Sequence, residues 1–227
     1  MFEMIRQPIE DRVITVSRAK YTVDYPASFM LVASMNPCPC GYHGHPTRRC
    51  TCMPNQVQKY MNKISGPLMD RIDIQVEIEP VEFDDMANRA PAEPSSSIRA
   101  RVIAAREIQQ ARFKELPGIH CNAQMSSKQL RQFAWPDTEG LKKLKDRMTK
   151  LNMSARAFDR ILRVARTIAD LESASTLPAR SAEDGTLSDV YAAALAAATT
   201  APVEARHIAE AIGYRALDRP SNFGVAF

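Results

Sequence analysis

Apolar positions change rhythm along this chain. In the first eighty residues they form short runs and alternations, and from about residue 98 they recur every three to four residues. Val13-Ile-Thr-Val16 and Lys20-Tyr-Thr-Val23 are β-prone and separated by Ser17-Arg-Ala19, which predicts a hairpin. Residues 29–35, Phe-Met-Leu-Val-Ala-Ser-Met, are a continuous apolar run of strand length, which predicts a fully buried central strand. Ile72-Asp-Ile-Gln-Val-Glu-Ile78 alternates apolar and polar and predicts another strand. Residues 3–7 read as the tail of a helix stopped by Pro8, whose beginning is expected to precede the chain. Residues 37–53 read as an irregular loop rich in Cys, Gly and Pro, and a short helix fits 55–63.

The second half reads as helical. Residues 80–97 are polar, with Pro91 and Pro94, and are expected to be a linker. The serines at 95–97 are expected to cap a helix running from 98 to about 114, broken by Pro117-Gly118. Further helices are expected at 126–134, 138–150 and 154–171. Residues 173–202, rich in Ala, Ser and Thr, predict a flexible detour with one marginal helix near 188–198, and a last helix is expected over about 203–216. The fold class is α/β followed by all-α. The expected division is an α/β portion over 1–82, a linker over 83–97, a helical domain over 98–172, the low-complexity detour over 173–202 and a terminal helix and tail over 203–227.

Composition narrows the classes. The 227 residues are 45% hydrophobic, enough for a packed core, and only 7% aromatic, so aliphatic side chains and Met fill it. The net charge of +4 is mildly basic and does not by itself establish nucleic-acid binding. No run approaches the roughly 18 apolar residues of a membrane span. The first residues lack a signal-peptide pattern, so a cytoplasmic protein without a membrane partner is expected.

In a reducing compartment clustered thiols point to metal before disulfide. Cys38, Cys40, Cys50 and Cys52 fall within fifteen residues as two Cys-x-Cys pairs nine residues apart. Four such ligands can close a tetrahedral, structural zinc site with no open position. Reduced thiols packing a loop, or a labile disulfide, are the other readings, and His43 or His45 could replace one thiolate. Cys121 stands alone and reads as a space filler.

Longer strings carry more. Leu31-Val-Ala-Ser-Met-Asn-Pro-Cys-Pro-Cys-Gly41, Lys63-Ile-Ser-Gly-Pro-Leu-Met-Asp-Arg-Ile-Asp73 and Leu151-Asn-Met-Ser-Ala-Arg-Ala-Phe-Asp-Arg-Ile-Leu-Arg-Val-Ala-Arg-Thr-Ile-Ala-Asp-Leu171 resemble the magnesium-chelatase-like AAA+ ATPases of the ComM type. The resemblance covers residues 1 to about 172 and resumes over about 206–219. It implies the C-terminal part of an AAA+ core with an incomplete parallel sheet, followed by a helical lid. It implies sensor 1 at Asn36, where an amide orients the attacking water or touches the γ-phosphate. It implies an arginine finger at Arg71, reaching ATP held by the neighbouring subunit. It implies sensor 2 at Arg156, on a helix where Arg156, Arg160 and Arg163 share one face beside the apolar stripe Ile161, Val164, Ala165, Ile168 and Leu171. The hairpin is similar to the pre-sensor-1 hairpin of the helicase-like branch, which makes Arg18 and Lys20 candidate contacts to a nucleic-acid backbone. The plainer readings are an Asn turning the chain before Pro37, an Arg71 paired with Asp70 or Asp73, and an ordinary charged turn.

The resemblance further implies ATP and Mg as cofactors, identical or complementary subunits in a ring of about six, and DNA as the partner that is remodelled by branch migration in competence and recombination. The chain contains no GxxxxGK[ST] and no strand ending in Asp-Glu, so ATP hydrolysis by these residues alone is not expected. A zinc-stabilised nucleic-acid-binding module without enzymatic activity, and a degenerate fragment without function, are the competing expectations.

Overall fold

The computed structural model describes residues 2–81, 91–178 and 188–215. The chain divides into two compact units, Met1–Ile72 and Asp73–Asp218.

The first unit opens with a 3-10 turn, Phe2–Ile5, that runs into α1, Arg6–Asp11. Pro8 does not stop this helix. It lies in the first turn, where backbone N–H groups have no intrahelical partner, so the ring removes nothing the helix needs. The helix ends at Arg12, in the left-handed region at φ 58°, whose N–H donates to the Pro8 carbonyl at 2.9 Å. Strands β1, Val13–Arg18, and β2, Tyr21–Pro26, follow as an antiparallel hairpin, as the alternation predicts. Its register sets Ile14 opposite Tyr25, Val16 opposite Val23 and Arg18 opposite Tyr21. Beyond the Cys loop lie α2, Pro54–Met61, and the single turn α3, Gly66–Met69.

Two strand expectations fail. Residues 29–35 form no strand, with Met30 87% and Val32 82% exposed. A doubly buried strand needs ladders on both edges and layers on both faces, and the sheet among the described residues is the β1–β2 hairpin alone. The expected incomplete parallel sheet is therefore absent from the described residues. Residues 72–78 make one isolated bridge, Gln75 with Arg215, the Gln75 N–H donating to the Tyr214 carbonyl at 2.6 Å. Ile74, Val76 and Ile78 remain exposed, because no sheet face lies beneath the alternation.

The second unit is helical: α4, Ser95–Arg112; α5, Ser127–Phe133; α6, Thr138–Leu151; α7, Ala155–Ser175; α8, Asp189–Thr199; and α9, Ala205–Gly213. Caps define the starts. Ser126, Asp137, Ser154 and Ser188 each accept a backbone N–H of the first turn of α5, α6, α7 and α8. The serines at 95–97 are not caps, since Pro94 holds that position and they form the first turn of α4. Phe113, Met125, Leu130, Leu144, Ile161, Leu162, Ile208 and Ile212 make the main core. The Ala-rich helix α8 packs onto α4 through Leu195 and Ala198, which join Ala105, Ile108 and Ala174 in a second cluster, and through the buried Tyr191, whose hydroxyl donates to Glu107.

Helices α6 and α9 approach closely at Gly140. A Cβ there would stand 2.8 Å from Asp137 Oδ1 and 3.3 Å from Ile208 Cγ1. Residues 82–90 of the expected linker and 179–187 of the expected detour lie outside the described residues. No helix among the described residues is long and apolar enough to cross a membrane.

Candidate functional site

The four cysteines converge. Their sulfurs all lie within 4.8 Å of one another, and none is in a disulfide. Cys38 Sγ is 3.3 Å from Cys40 Sγ and 3.7 Å from Cys50 Sγ, with Cys40 and Cys50 3.5 Å apart. A disulfide needs about 2.05 Å. Zinc–sulfur bonds of about 2.3 Å in a tetrahedron set sulfurs roughly 3.8 Å apart. The spacing therefore fits a metal's ligand shell and excludes paired cystines.

Local sequence explains the convergence. Gly41 and Gly44 adopt φ of 83° and 81°, which L side chains resist, so the loop doubles back twice. The Gly41 N–H donates to the Cys38 carbonyl at 3.0 Å. Met53-Pro54 then starts α2 and fixes the loop's exit.

The thiols are electrostatically unequal. Backbone hydrogen bonds from Tyr42, then Thr51, lower Cys40 to about 5. Cys52 is pushed up to about 12, chiefly by loss of solvent, and by Cys40 and Cys38 beside it. Cys50 is also raised, its crowded sulfur neighbours and desolvation outweighing a favourable bond from Cys52. One thiolate forms readily and resists the next, a repulsion that a divalent cation removes. The histidines do not enter this group. His45 Nδ1 accepts the backbone N–H groups of Thr47 and Arg48 at 3.2 and 3.1 Å, and its ring meets Tyr42 edge to face.

Asn36 is exposed immediately before this loop, and its amide faces Gly41, 3.8 Å from where a Cβ would stand. Arg71 is buried, only 6% exposed. Ser65 caps α3 by accepting the Leu68 N–H at 3.3 Å, and Arg71 follows that turn. Its Nε donates to Glu10 Oε2 at 2.8 Å and its Nη1 to the Pro67 carbonyl at 2.6 Å, while Nη2 pairs with the same Glu10 carboxylate. The carboxylate that pairs with Arg71 is thus Glu10 on α1, not Asp70 or Asp73. Arg18 ends β1 and Lys20 sits in the turn, both exposed.

In the helical unit Arg156 is exposed in the first turn of α7. Its two companions have separate tasks. Arg160 Nη1 donates to Asp73 Oδ1 at 2.6 Å, and Arg163 donates to the Met125 carbonyl at 3.2 and 2.8 Å. A cleft of about 430 Å³ opens beside the start of α7, walled by Leu130, Trp135, Met148, Phe158 and Leu162, with Arg131 and Asp159 at its polar side.

Sequence reasoning missed a buried polar network in which Arg112, Arg166, Asn122 and Asp170 meet. Arg166 and Asp170 stand four apart on α7, the spacing of a helical ion pair, which was the available signal. It also missed Glu172 on α7, whose carboxylate meets His207 Nε2 on α9 at 2.5 Å.

A helical unit rich in arginine, preceded by a hairpin and a four-thiol loop, defines the class. The chain belongs to the magnesium-chelatase-like AAA+ family. Residues 1–86 match the family model described as magnesium chelatase, subunit ChlI, and residues 92–183 match that of the ChlI C-terminal region. Among its relatives, the chain is 36% identical over 219 residues to the uncharacterized protein YifB of Escherichia coli K12. It is 32% identical over 220 residues to the competence protein ComM of Haemophilus influenzae. Each of these two alignments covers 96% of this chain and 37% of the relative. An uncharacterized protein of Mycobacterium tuberculosis, Rv2897c, is 35% identical over 169 residues, 74% of this chain and 33% of its own. The chain thus spans about a third of the length of the curated relatives it matches.

Proposed function

We propose that these residues supply the trigger elements of an ATP-driven motor that remodels DNA, assembled as a ring of about six subunits. Asn36 orients the water that attacks the γ-phosphate, Arg71 stabilises the transferring phosphoryl group held by a neighbouring subunit, and Arg156 contacts phosphate from a helical lid. Arg18 and Lys20 on the hairpin meet the nucleic-acid backbone. ATP and Mg are held by the assembled protein, because the phosphate-cradling motif is not in this sequence. The exposed run at 29–35 is the edge on which a larger parallel sheet would build. The observation that carries the reading is the consecutive match of both ChlI regions, joined to 32% identity with a competence protein. Branch migration during recombination is the activity proposed on that basis.

The four cysteines are assigned to structural zinc. Cys38, Cys40, Cys50 and Cys52 would hold it, and the ion would supply cross-linking and charge neutralisation, with no position left for catalysis. It would also brace the loop that follows Asn36.

The test is Arg71→Ala in the complete ring-forming protein. Turnover should fall on the order of 10³-fold while ATP binding is largely kept. Equal loss of both would remove the finger role. The second reading, a zinc-braced nucleic-acid-binding module, is favoured by the Glu10 clasp on Arg71. It gains if the isolated chain binds DNA with steep salt dependence and the full-length Arg71→Ala protein turns over ATP normally.

A further inference from the structure

We propose that one face of the β1–β2 hairpin is a stacking platform for single-stranded nucleic acid, with Tyr21 and Tyr25 as base-stacking side chains and Arg18 as a phosphate contact. This rests on the reading that the hairpin meets nucleic acid, and it adds which form is bound and by which residues.

The register divides the hairpin into two unlike faces. Ile14, Val16, Arg18, Tyr21, Val23 and Tyr25 share one face, because the cross-strand partners Ile14–Tyr25, Val16–Val23 and Arg18–Tyr21 alternate with the other set. That face is open, with Tyr21 56% and Tyr25 54% exposed. The opposite face is internally satisfied. Thr15 Oγ1 donates to Asp24 Oδ1 at 2.6 Å, and Ser17 and Thr22 hydroxyls meet at 3.0 Å.

Charge follows the same division. Asp24 is the one carboxylate between residues 13 and 26, and it lies on the satisfied face. Arg18 lies on the aromatic face and Lys20 in the adjoining turn. An apolar floor carrying two rings, edged by cations and cleared of anions, suits a polyanion whose bases are unpaired. Duplex bases are stacked on one another and present edges instead of faces. The tyrosines are four residues apart on one strand, so their stations lie about 13 Å apart at ~3.3 Å per residue. Stacking of this kind tolerates any base sequence.

Binding of labelled dT20 and of a 20-base-pair duplex to the chain, read by fluorescence anisotropy across a salt series, tests this. The Tyr21→Leu/Tyr25→Leu double variant should lose about tenfold or more in dT20 affinity. Its duplex affinity and its dT20 salt slope should not change. Tyr21→Phe/Tyr25→Phe should bind like the parent, since the ring and not the hydroxyl stacks. Arg18→Ala/Lys20→Ala should weaken both ligands and flatten the dT20 salt slope by about 1.4. A 5-iodouracil-substituted dT20 should photocross-link to Tyr21 or Tyr25 of the parent, a readout that needs no variant. If the Leu variant binds dT20 like the parent and the cross-link maps elsewhere, stacking is overturned while the charge reading stands. If the Arg18→Ala/Lys20→Ala variant also binds normally, both fall. Loss of a concentration-dependent dimer in the Leu variant, with dT20 binding intact, would make this face a chain–chain contact and overturn the proposal.

Discussion

Arg112 on α4 grips Asp170 on α7 from both terminal nitrogens, Nη1 to Oδ2 at 2.8 Å and Nη2 to Oδ1 at 2.5 Å, with both side chains essentially sealed from solvent. Asp170 also accepts Arg166 Nε at 3.1 Å and Asn122 Nδ2 at 2.7 Å. One carboxylate thus compensates two buried guanidiniums. Burial is the main cause holding Arg166 down to about 10, with the neighbouring Arg112 charge adding to it, so it remains charged at neutral pH. Asp170→Asn should therefore destabilise the helical unit by about 3–5 kcal/mol, because it strands two buried cations. Urea unfolding followed by helical circular dichroism measures this. A cost below about 1 kcal/mol would mean the network opens to water.

The helical half was legible because its apolar stripes are local, and Ile161, Val164 and Ala165 are buried as their spacing implies. Its caps were not: the serines at 95–97 are not caps, while Ser126, Asp137, Ser154 and Ser188 are. Of the same stripe, Ile168 is half-buried and Leu171 is 38% exposed. The four-thiol convergence was legible from spacing alone, and the two glycines between the pairs supplied the turns. The strands at 29–35 and 72–78 were misread because strand burial depends on partners remote in sequence, which composition does not reveal. Glu10 as Arg71's partner was invisible for the same reason, being 61 positions away. Pro8 does not stop its helix, because a proline in a first turn removes no hydrogen bond the helix needs.

Zinc content follows from the sulfur geometry. The purified chain should carry one zinc, and chelation should lower the unfolding midpoint of the first unit by about 10 °C or more, since a structural ion's binding energy is folding energy. Cys52→Ser should reproduce most of that loss. Elemental analysis with thermal melts, with and without chelator, checks both. A metal-free chain that melts like the parent would leave the four thiols as packing.

Gly140 makes a sharper claim about packing. Gly140→Ala in an exposed helix would stabilise by removing backbone freedom. Here the new methyl meets the capping carboxylate of Asp137 at 2.8 Å and the Ile208 side chain on α9 at 3.3 Å. The variant should lose about 1–3 kcal/mol as α6 and α9 are pushed apart. A neutral or stabilised variant in chemical denaturation would show that the α6–α9 contact yields easily.

The link between Glu172 and His207 predicts a pH dependence. His207 Nδ1 accepts the Glu204 N–H at 2.9 Å, so its Nε2 side faces Glu172. That bond, with Arg206 adding charge, lowers the Glu172 pKa below its ordinary 4.5. A carboxylate lowered by folding contributes stability that is present above its unfolded value and lost as pH falls through the folded one. The parent should therefore lose stability below about pH 4.5, and Glu172→Gln should flatten that limb of the profile while costing little at its acid end. Thermal melts from pH 3 to pH 7 in a common buffer series test this, and an unchanged acid limb in the variant would assign it to other carboxylates.

Glu10 separates two roles for Arg71. If Arg71 is a structural clip, removing either partner breaks the same contact. Glu10→Ala and Arg71→Ala should then lose turnover in the complete protein to the same degree. If Arg71 acts on ATP, Glu10 is a rest position that the guanidinium leaves, and the two variants diverge. Glu10→Ala should cost about 1.5–3 kcal/mol through loss of charge-assisted hydrogen bonds to a buried group, yet keep most of its turnover below its melting temperature. Arg71→Ala should show a comparable stability loss with turnover down on the order of 10³-fold. Arg71→Lys should behave like Ala in turnover, since an ammonium lacks the planar fork that spans the transferring oxygens. Parallel loss in the Glu10 and Arg71 variants, measured at a temperature where both remain folded, would assign Arg71 to the fold and remove it from the proposed role on ATP.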